Sequence, residues 1–200
     1  MGAIATVALL AIAALAFVLT RLGSNPNGLA GAIVNGSPQA PDFTLIDQHG
    51  KQVTMSTFRG KTVALTFLYT HCPDVCPLIA STMGTADRRL TDSSQVEMMA
   101  VSVDPLGDTP PAIARFDDDR GLTNLSNWHY LTGSPSQLQA VWQAYGGVVP
   151  SGAATNQPVS PPDFSHLSVV YVIDAVGRLR VALPANFQTS DLLQDIKGVA

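Results

Sequence analysis

The feature that most constrains the fold of this chain is a mostly apolar segment at residues 63–69. Apolar and polar residues do not alternate in it, which predicts a strand that is buried on both faces. The only two cysteines of the chain, Cys72 and Cys76, follow this segment directly. The sequence therefore predicts a functional thiol pair at the end of a central strand.

Strands and helices alternate on both sides of this central strand. A hairpin at residues 42–54 has His49 at its tip, and a short helical turn follows at residues 56–60. After the thiol pair we predict a helix with Cys76 as its cap and Pro77 as its first residue, because proline lacks the N–H that an earlier start would need. That helix runs to residue 90, and the later predicted segments are strands at 96–103, 128–131, 167–174 and 178–183 and helices at 110–120, 135–145 and 190–197. This order predicts an α/β chain with a thioredoxin-like domain.

Two segments show no periodicity. Residues 23–40 are rich in Gly, Asn, Pro and Ser, which predicts a flexible linker and places the folded domain at residues 41–200. Residues 148–163 contain four prolines, which predicts a long loop that leads to His166. Loops of this length usually have a function or move.

The first twenty residues carry no charge and are long enough to cross a bilayer as a helix. We predict that residues 1–22 are a transmembrane anchor, with a cleaved signal peptide as the alternative. The apolar run continues to Leu19, past the small-residue site at residues 14–16, and no basic residues precede it, which favours the anchor. Arg21 follows the apolar segment, and its positive charge taken alone would place the C-terminal end of that segment in the cytoplasm.

The charge of the chain excludes one class of partner. The formal net charge is -4, and no cluster of Lys or Arg occurs anywhere. Binding to nucleic acid depends on such clusters, so we expect no nucleic-acid partner.

Several motifs together resemble one protein family. They are, in order, Thr70-His71-Cys72-Pro73-Asp74-Val75-Cys76-Pro77, Ser102-Val103-Asp104-Pro105 with Asp108-Thr109-Pro110, Leu131-Thr132-Gly133, and a lone His166 before a strand that ends in Asp174. With this order and spacing, residues 41–200 resemble the SCO/SenC family of membrane-anchored copper chaperones. One departure is Ser165, where members often carry an acidic residue.

The resemblance implies a copper-binding protein that faces the extracytoplasmic side of the cell membrane. It implies Cys72, Cys76 and His166 as copper ligands. From their positions in the cysteine loop we expect His71, which adjoins Cys72, and the turn former Asp74 as supporting residues. It also implies a role in maturing the copper-A centre of cytochrome c oxidase, with oxidase subunit II as partner. We give the family resemblance more weight than the single charge of Arg21 for the orientation in the membrane.

The chemistry of these side chains agrees with copper. Thiolates are soft ligands that suit Cu(I), and an added imidazole lets the same site hold Cu(II). Three ligands leave the site open to exchange, whereas a closed zinc site would need a fourth ligand. The N-terminus of the helix beside Cys76 predicts a lowered pKa of that thiol.

Each site residue also has a structural alternative. Cys72 and Cys76 could form a plain disulfide, although so short a loop contributes little to stability. His166 could instead pack at the start of its strand, and the turn-forming Asp104 and Asp108 more readily cap turns than bind copper.

Three functional hypotheses follow from the sequence. The first is a copper metallochaperone that needs both cysteines and His166. The second is a thiol-disulfide oxidoreductase that forms a redox-active disulfide between Cys72 and Cys76, keeps the cysteines of an oxidase subunit reduced, and is itself served by a thioredoxin-like reductant. The third is a thiol peroxidase, which usually has threonine three residues before the attacking cysteine, where this chain has Tyr69.

Overall fold

The structure is a computed structural model that describes residues 28–146 and 168–200. Its strands are β1 Ala32–Ile33, β2 Thr44–Ile46, β3 Gln52–Thr54, β4 Thr62–Leu68, β5 Val96–Ser102, β6 Trp128–Leu131, β7 Val169–Ile173 and β8 Leu179–Pro184. Its helices are α1 Val75–Asp87, α2 Pro110–Asp118, α3 Pro135–Ala144 and α4 Thr189–Val199, and short 3-10 turns lie at Met55–Phe58 and Ser93–Gln95. The predicted anchor at residues 1–22, the loop at 148–163 and His166 lie outside the described residues. Among the described helices, none has the length and apolar character that a bilayer crossing requires.

Six strands form one mixed sheet in the order β1-β8-β7-β4-β5-β6. Strands β4, β5 and β6 run parallel, while β7 pairs antiparallel with β4. All seven residues of β4 are buried, as are all seven of β5, so the predicted central strand is confirmed. Strands β2 and β3 form a separate antiparallel hairpin.

The parallel strands place the thiol pair at one edge of the sheet. The loop after β4 carries Cys72 and Cys76, and the loop after β5 carries Asp104 and Asp108. Because β4 and β5 are parallel and in register, both loops leave the same edge of the sheet. Loops at the carboxyl ends of parallel strands are where open α/β folds place their sites.

Helix α3 packs an apolar stripe into the core. Leu138, Val141 and Trp142 on this helix are buried, and so is Tyr145 just after its end. The Trp142 Nε1–H donates a hydrogen bond of 3.0 Å to the carbonyl oxygen of Ser102, the last residue of β5. The helix therefore supports the strand from which the second loop departs.

The prediction of a flexible linker over residues 23–40 is wrong for residues 28–40. Strand β1 pairs antiparallel with β8, and Leu29 is buried. The buried carboxylate of Asp195 in α4 accepts hydrogen bonds from the backbone N–H groups of Ala30 and Gly31. A two-residue strand shows no sequence period, and its stability comes from partners about 150 residues later in the chain, so composition alone could not reveal it.

Replacing Gly31 with alanine tests this packing. An added Cβ would lie 2.9 Å from the carbonyl oxygen of Ala182 and against a methyl group of Val181. We expect the Gly31→Ala protein to lose about 1–3 kcal/mol in the free energy of unfolding, measured by urea denaturation. Asn35→Ala, at an exposed residue of the same segment, is the control and should change it by less than about 0.5 kcal/mol. A neutral or stabilising Gly31→Ala change would instead indicate a flexible linker.

Candidate metal and redox site

The cysteine loop begins where β4 ends and leads into α1. Its first turn is closed by the Cys72 N–H, which donates to the Tyr69 carbonyl oxygen at 3.3 Å. Helix α1 begins at Val75 with Asp74 as its N-cap, two residues before the predicted start, so the prediction of Cys76 as the cap is wrong. Pro77 is tolerated as the third helical residue because the first N–H groups of a helix have no intrahelical partner. Cys72 lies in the loop, as predicted.

Both cysteines are buried and carry free thiols in this structure. The backbone N–H of Cys76 donates to the Cys72 Sγ at 3.3 Å. The backbone N–H of Asp74 also donates to the Cys72 sulfur. The thiol of Cys76 forms a further hydrogen bond with the Cys72 sulfur. The start of α1 therefore directs its donors at Cys72 rather than at Cys76.

These donors give the two thiols opposite proton affinities. The hydrogen bond from the Cys76 side chain, with smaller contributions from the N–H groups of Asp74 and Cys76, lowers the pKa of Cys72 to about 5, although burial opposes this shift. The hydrogen bond to Cys72 and burial raise the pKa of Cys76 far above its ordinary value. The prediction of a lowered pKa for Cys76 is therefore wrong. Cys72 carries the negative charge, and Cys76 keeps its proton and donates it in the hydrogen bond that stabilises the Cys72 thiolate.

Sequence reasoning missed the part that Tyr69 has in this site. This buried tyrosine follows β4, and its side chain forms a hydrogen bond with Cys72 that favours the thiolate. Burial, followed by this hydrogen bond, raises the pKa of Tyr69, so its hydroxyl remains a donor. A tyrosine at the end of a buried strand, three residues before a cysteine, was the available signal.

The predicted supporting residues contact the site less directly. His71 is exposed, and its Nδ1 lies 3.0 Å from the Thr70 Oγ1. Asp74 is also exposed, and it acts on Cys72 through its backbone N–H. Asp104 closes a turn by accepting the Gly107 N–H at 3.0 Å, as its predicted turn-capping role requires. Among the described residues, no group of three or more metal-ligating side chains comes together.

His166 lies outside the described residues, but the chain re-enters the structure close to the cysteine loop. The first described residue after the gap is Ser168, which precedes β7. Thr66, near the carboxyl end of β4, pairs with Val170 and donates its hydroxyl to the Val169 carbonyl oxygen at 2.9 Å. The start of β7 therefore lies beside the end of β4, at the edge of the sheet that carries the thiols.

The fold and the thiol pair define a thioredoxin-like α/β domain with a dithiol site at the end of its central strand. A sequence profile described as SCO1/SenC matches residues 33–200, and the chain belongs to that family.

Similarity to individual relatives agrees with this assignment. The chain is 28% identical over 187 residues to mitochondrial protein SCO2 of Saccharomyces cerevisiae, covering 89% of this chain and 57% of that protein. It is 33% identical over 130 residues to protein SenC of Rhodobacter capsulatus, covering 64% of this chain and 53% of SenC. The chain thus spans little more than half the length of these two relatives.

Solved structures of relatives confirm the predicted thioredoxin-like fold. The structure of Bradyrhizobium japonicum ScoI with copper bound superposes with a TM-score of 0.61 at 26% identity, covering 81% of this chain and 99% of that one. The solution structure of apo Sco1 from Thermus thermophilus gives a TM-score of 0.67 at 25% identity, covering 86% and 97%.

The unequal proton affinities predict selective alkylation. We expect iodoacetamide to modify Cys72 of the reduced protein with a half-maximal rate near pH 5, since only the thiolate reacts and the pKa of Cys72 is lowered to about 5. Cys76 should stay unmodified until the protein unfolds. Peptide mass spectrometry across a pH series measures both rates.

The cause of the shift is tested by two variants. Cys76→Ala removes the strongest donor to Cys72 and should move the midpoint upward, toward the ordinary value of about 8.5. Cys76→Ser keeps an O–H donor and should stay nearer to the parent. Equal midpoints in all three proteins would contradict the assigned cause.

Proposed function

We propose that this chain is a copper metallochaperone whose cargo is held by Cys72, Cys76 and His166. The observation that carries the proposal is the buried dithiol whose Cys72 is already ionised at neutral pH, in a family that includes proteins solved with copper bound. We infer that the acceptor is the copper-A site in subunit II of cytochrome c oxidase.

The donor set fits this cargo. Two sulfur ligands suit Cu(I), and an imidazole from His166 extends the set to Cu(II). Only one residue separates His166 from Ser168, which lies at the edge of the sheet that carries the thiols. A set of three protein ligands leaves a position that an acceptor thiolate can enter before the first bond breaks.

The proton distribution assigns different parts to the two cysteines. Cys72 is already a thiolate at neutral pH, so it contacts the incoming copper first. Cys76 has to lose its proton when its sulfur becomes a ligand, because the thiolate is the metal-binding form. Loading therefore requires the reduced pair and releases the Cys76 proton.

Copper titration of the full chain in detergent tests the proposal. Under anaerobic conditions, in competition with a chromogenic Cu(I) chelator, the reduced protein should bind one equivalent and the oxidised protein none. The loaded protein should then transfer its copper to the soluble domain of an oxidase subunit II. A reduced protein that leaves all copper with the chelator would contradict the proposal.

The proposal also places residues 1–22 in the membrane and the folded domain on the extracytoplasmic side. Expression of the full chain in bacterial cells tests this placement. Carbonate extraction should leave the chain in the membrane fraction, and protease added to spheroplasts should digest its folded domain. Release of the chain by carbonate would contradict the anchor. Protection of the folded domain from the protease would contradict its orientation.

A second candidate function is reduction of disulfides in an oxidase subunit. The ionised Cys72 favours it, because this thiolate can attack a partner disulfide and Cys76 can then resolve the mixed disulfide. The partner disulfide gains two electrons from the pair, one proton from Cys76 and one proton from water, while Cys72 and Cys76 form a disulfide. A thioredoxin-like dithiol reductant then returns the pair to the dithiol form.

The His166→Ala variant separates the two candidates. A metallochaperone should lose copper affinity in this variant, whereas a reductase should keep its rate with a disulfide-bonded oxidase peptide. Loss of copper affinity together with an unchanged reduction rate would show that one site has both activities.

A further inference from the structure

Asp108 is a buried carboxylate beneath the cysteine loop, with only 2% of its surface exposed. Its Oδ1 accepts the backbone N–H of Thr70 at 2.7 Å. Its Oδ2 accepts the Ser102 hydroxyl at 2.6 Å and the Tyr130 hydroxyl at 3.0 Å. The sequence predicts only a turn-capping role for this residue.

The three donors come from three neighbouring strands. Thr70 follows β4, Ser102 ends β5, and Tyr130 lies in β6. An ionised carboxylate has acceptors only, so it satisfies all three donors at once. The N–H of Asp108 donates to the Asp104 carbonyl oxygen at 2.8 Å, which fixes the carboxylate within its own loop.

We propose that Asp108 is a positioning residue for the thiol pair, an inference that rests on the function proposed above. It holds Thr70, two residues before Cys72, against the ends of β5 and β6. Only four residues, 71–74, connect Thr70 to the start of α1, and one of them is Pro73. The buried carboxylate thus sets where the Cys72 sulfur lies relative to the first turn of α1.

Asp117 provides a matched control for this role. It is another buried carboxylate, on α2, and it accepts the Trp128 Nε1–H at 3.0 Å. This bond ties helix α2 to β6, as the bond from Tyr130 ties the loop of Asp108 to the same strand. Among the described residues, Asp117 has no hydrogen bond to the cysteine loop. Asp108→Asn and Asp117→Asn make the same chemical change at two buried places.

The experiment measures three properties of the full chain for both variants. Urea unfolding reports stability, chelator competition reports Cu(I) affinity, and the EPR spectrum of the Cu(II) form reports ligand geometry. We expect Asp108→Asn to lower copper affinity about 10–100-fold and to change the spectrum, since partners of metal-site residues commonly have effects of that size. Asp117→Asn should lower stability and leave affinity within about twofold and the spectrum unchanged. A parental affinity and spectrum in Asp108→Asn, or an equal loss in Asp117→Asn, would overturn the proposal.

Cys72 alkylation in the copper-free protein keeps this test separate from that of the proposed function. Asp108→Asn should change the alkylation rate at neutral pH at least about threefold, while Asp117→Asn should not. If the parent binds no copper but this difference persists, the proposed function fails and the positioning role stands. If Asp108→Asn does not fold, Tyr130→Phe removes one donor and leaves the carboxylate in place. A parental alkylation rate in Tyr130→Phe would then overturn the positioning role.

Discussion

Serine in place of Cys72 or Cys76 should lower the Cu(I) affinity of the reduced protein by more than about a hundredfold. Loss of a partner that merely orients a ligand already costs about 10–100-fold, and a hydroxyl is a much poorer ligand for soft Cu(I) than a thiolate. Competition with a chromogenic chelator measures the affinity. Ser81→Ala, on the same helix α1, is the control and should bind copper like the parent.

The His166→Ala variant should lose more affinity for Cu(II) than for Cu(I). An imidazole is the ligand that suits Cu(II), whereas the two sulfurs retain part of the Cu(I) affinity. His49→Ala, at the exposed tip of the β2–β3 hairpin, is the matched control and should retain both affinities. Parental binding in the His166 variant and in both cysteine variants would contradict the proposed ligand set.

Replacing Trp142 with alanine should cost about 3–5 kcal/mol in the free energy of unfolding. The side chain is fully buried, and its removal leaves a cavity beneath β5 as well as the Ser102 carbonyl oxygen without its donor. The midpoint of thermal unfolding should fall by roughly 6–20 °C. Circular dichroism measures the loss, and Trp128 remains as a fluorescent reporter.

Trp142→Phe separates packing from hydrogen bonding at this position. Phenylalanine keeps most of the apolar contact but loses the bond to Ser102 and part of the indole volume, so we expect a smaller cost of about 1–2 kcal/mol. A cost below about 1 kcal/mol for the alanine variant would contradict the place of Trp142 in the core.

The sequence contained enough information for most of the fold. Strand β4 was predictable because a strand buried on both faces has no polar alternation, and α3 because its apolar residues recur at helical spacing. The position of the dithiol was predictable as well, since Cys72 and Cys76 are the only cysteines and follow that strand.

What sequence reasoning missed depends on contacts between distant residues or on local backbone direction. Strand β1 exists because β8 and Asp195 supply partners from the other end of the chain. The spacing of the two cysteines could not reveal which thiol is the more acidic. The answer depends on which sulfur the first N–H groups of α1 face, and the structure shows that it is the sulfur of Cys72. The part of Asp108 likewise appears only when three strand ends are brought together. The part of Tyr69 depends on the local turn between Tyr69 and Cys72.

The inclusion of residues 28–40 in the fold limits how far the domain can reach. With residues 1–22 anchored in the bilayer, as we propose, only residues 23–27 separate the anchor from the first described residue. A chain of that length spans at most about 20 Å when fully extended. An acceptor would therefore have to present its copper-receiving thiols close to the lipid surface, so donor and acceptor would meet by diffusing within the membrane plane.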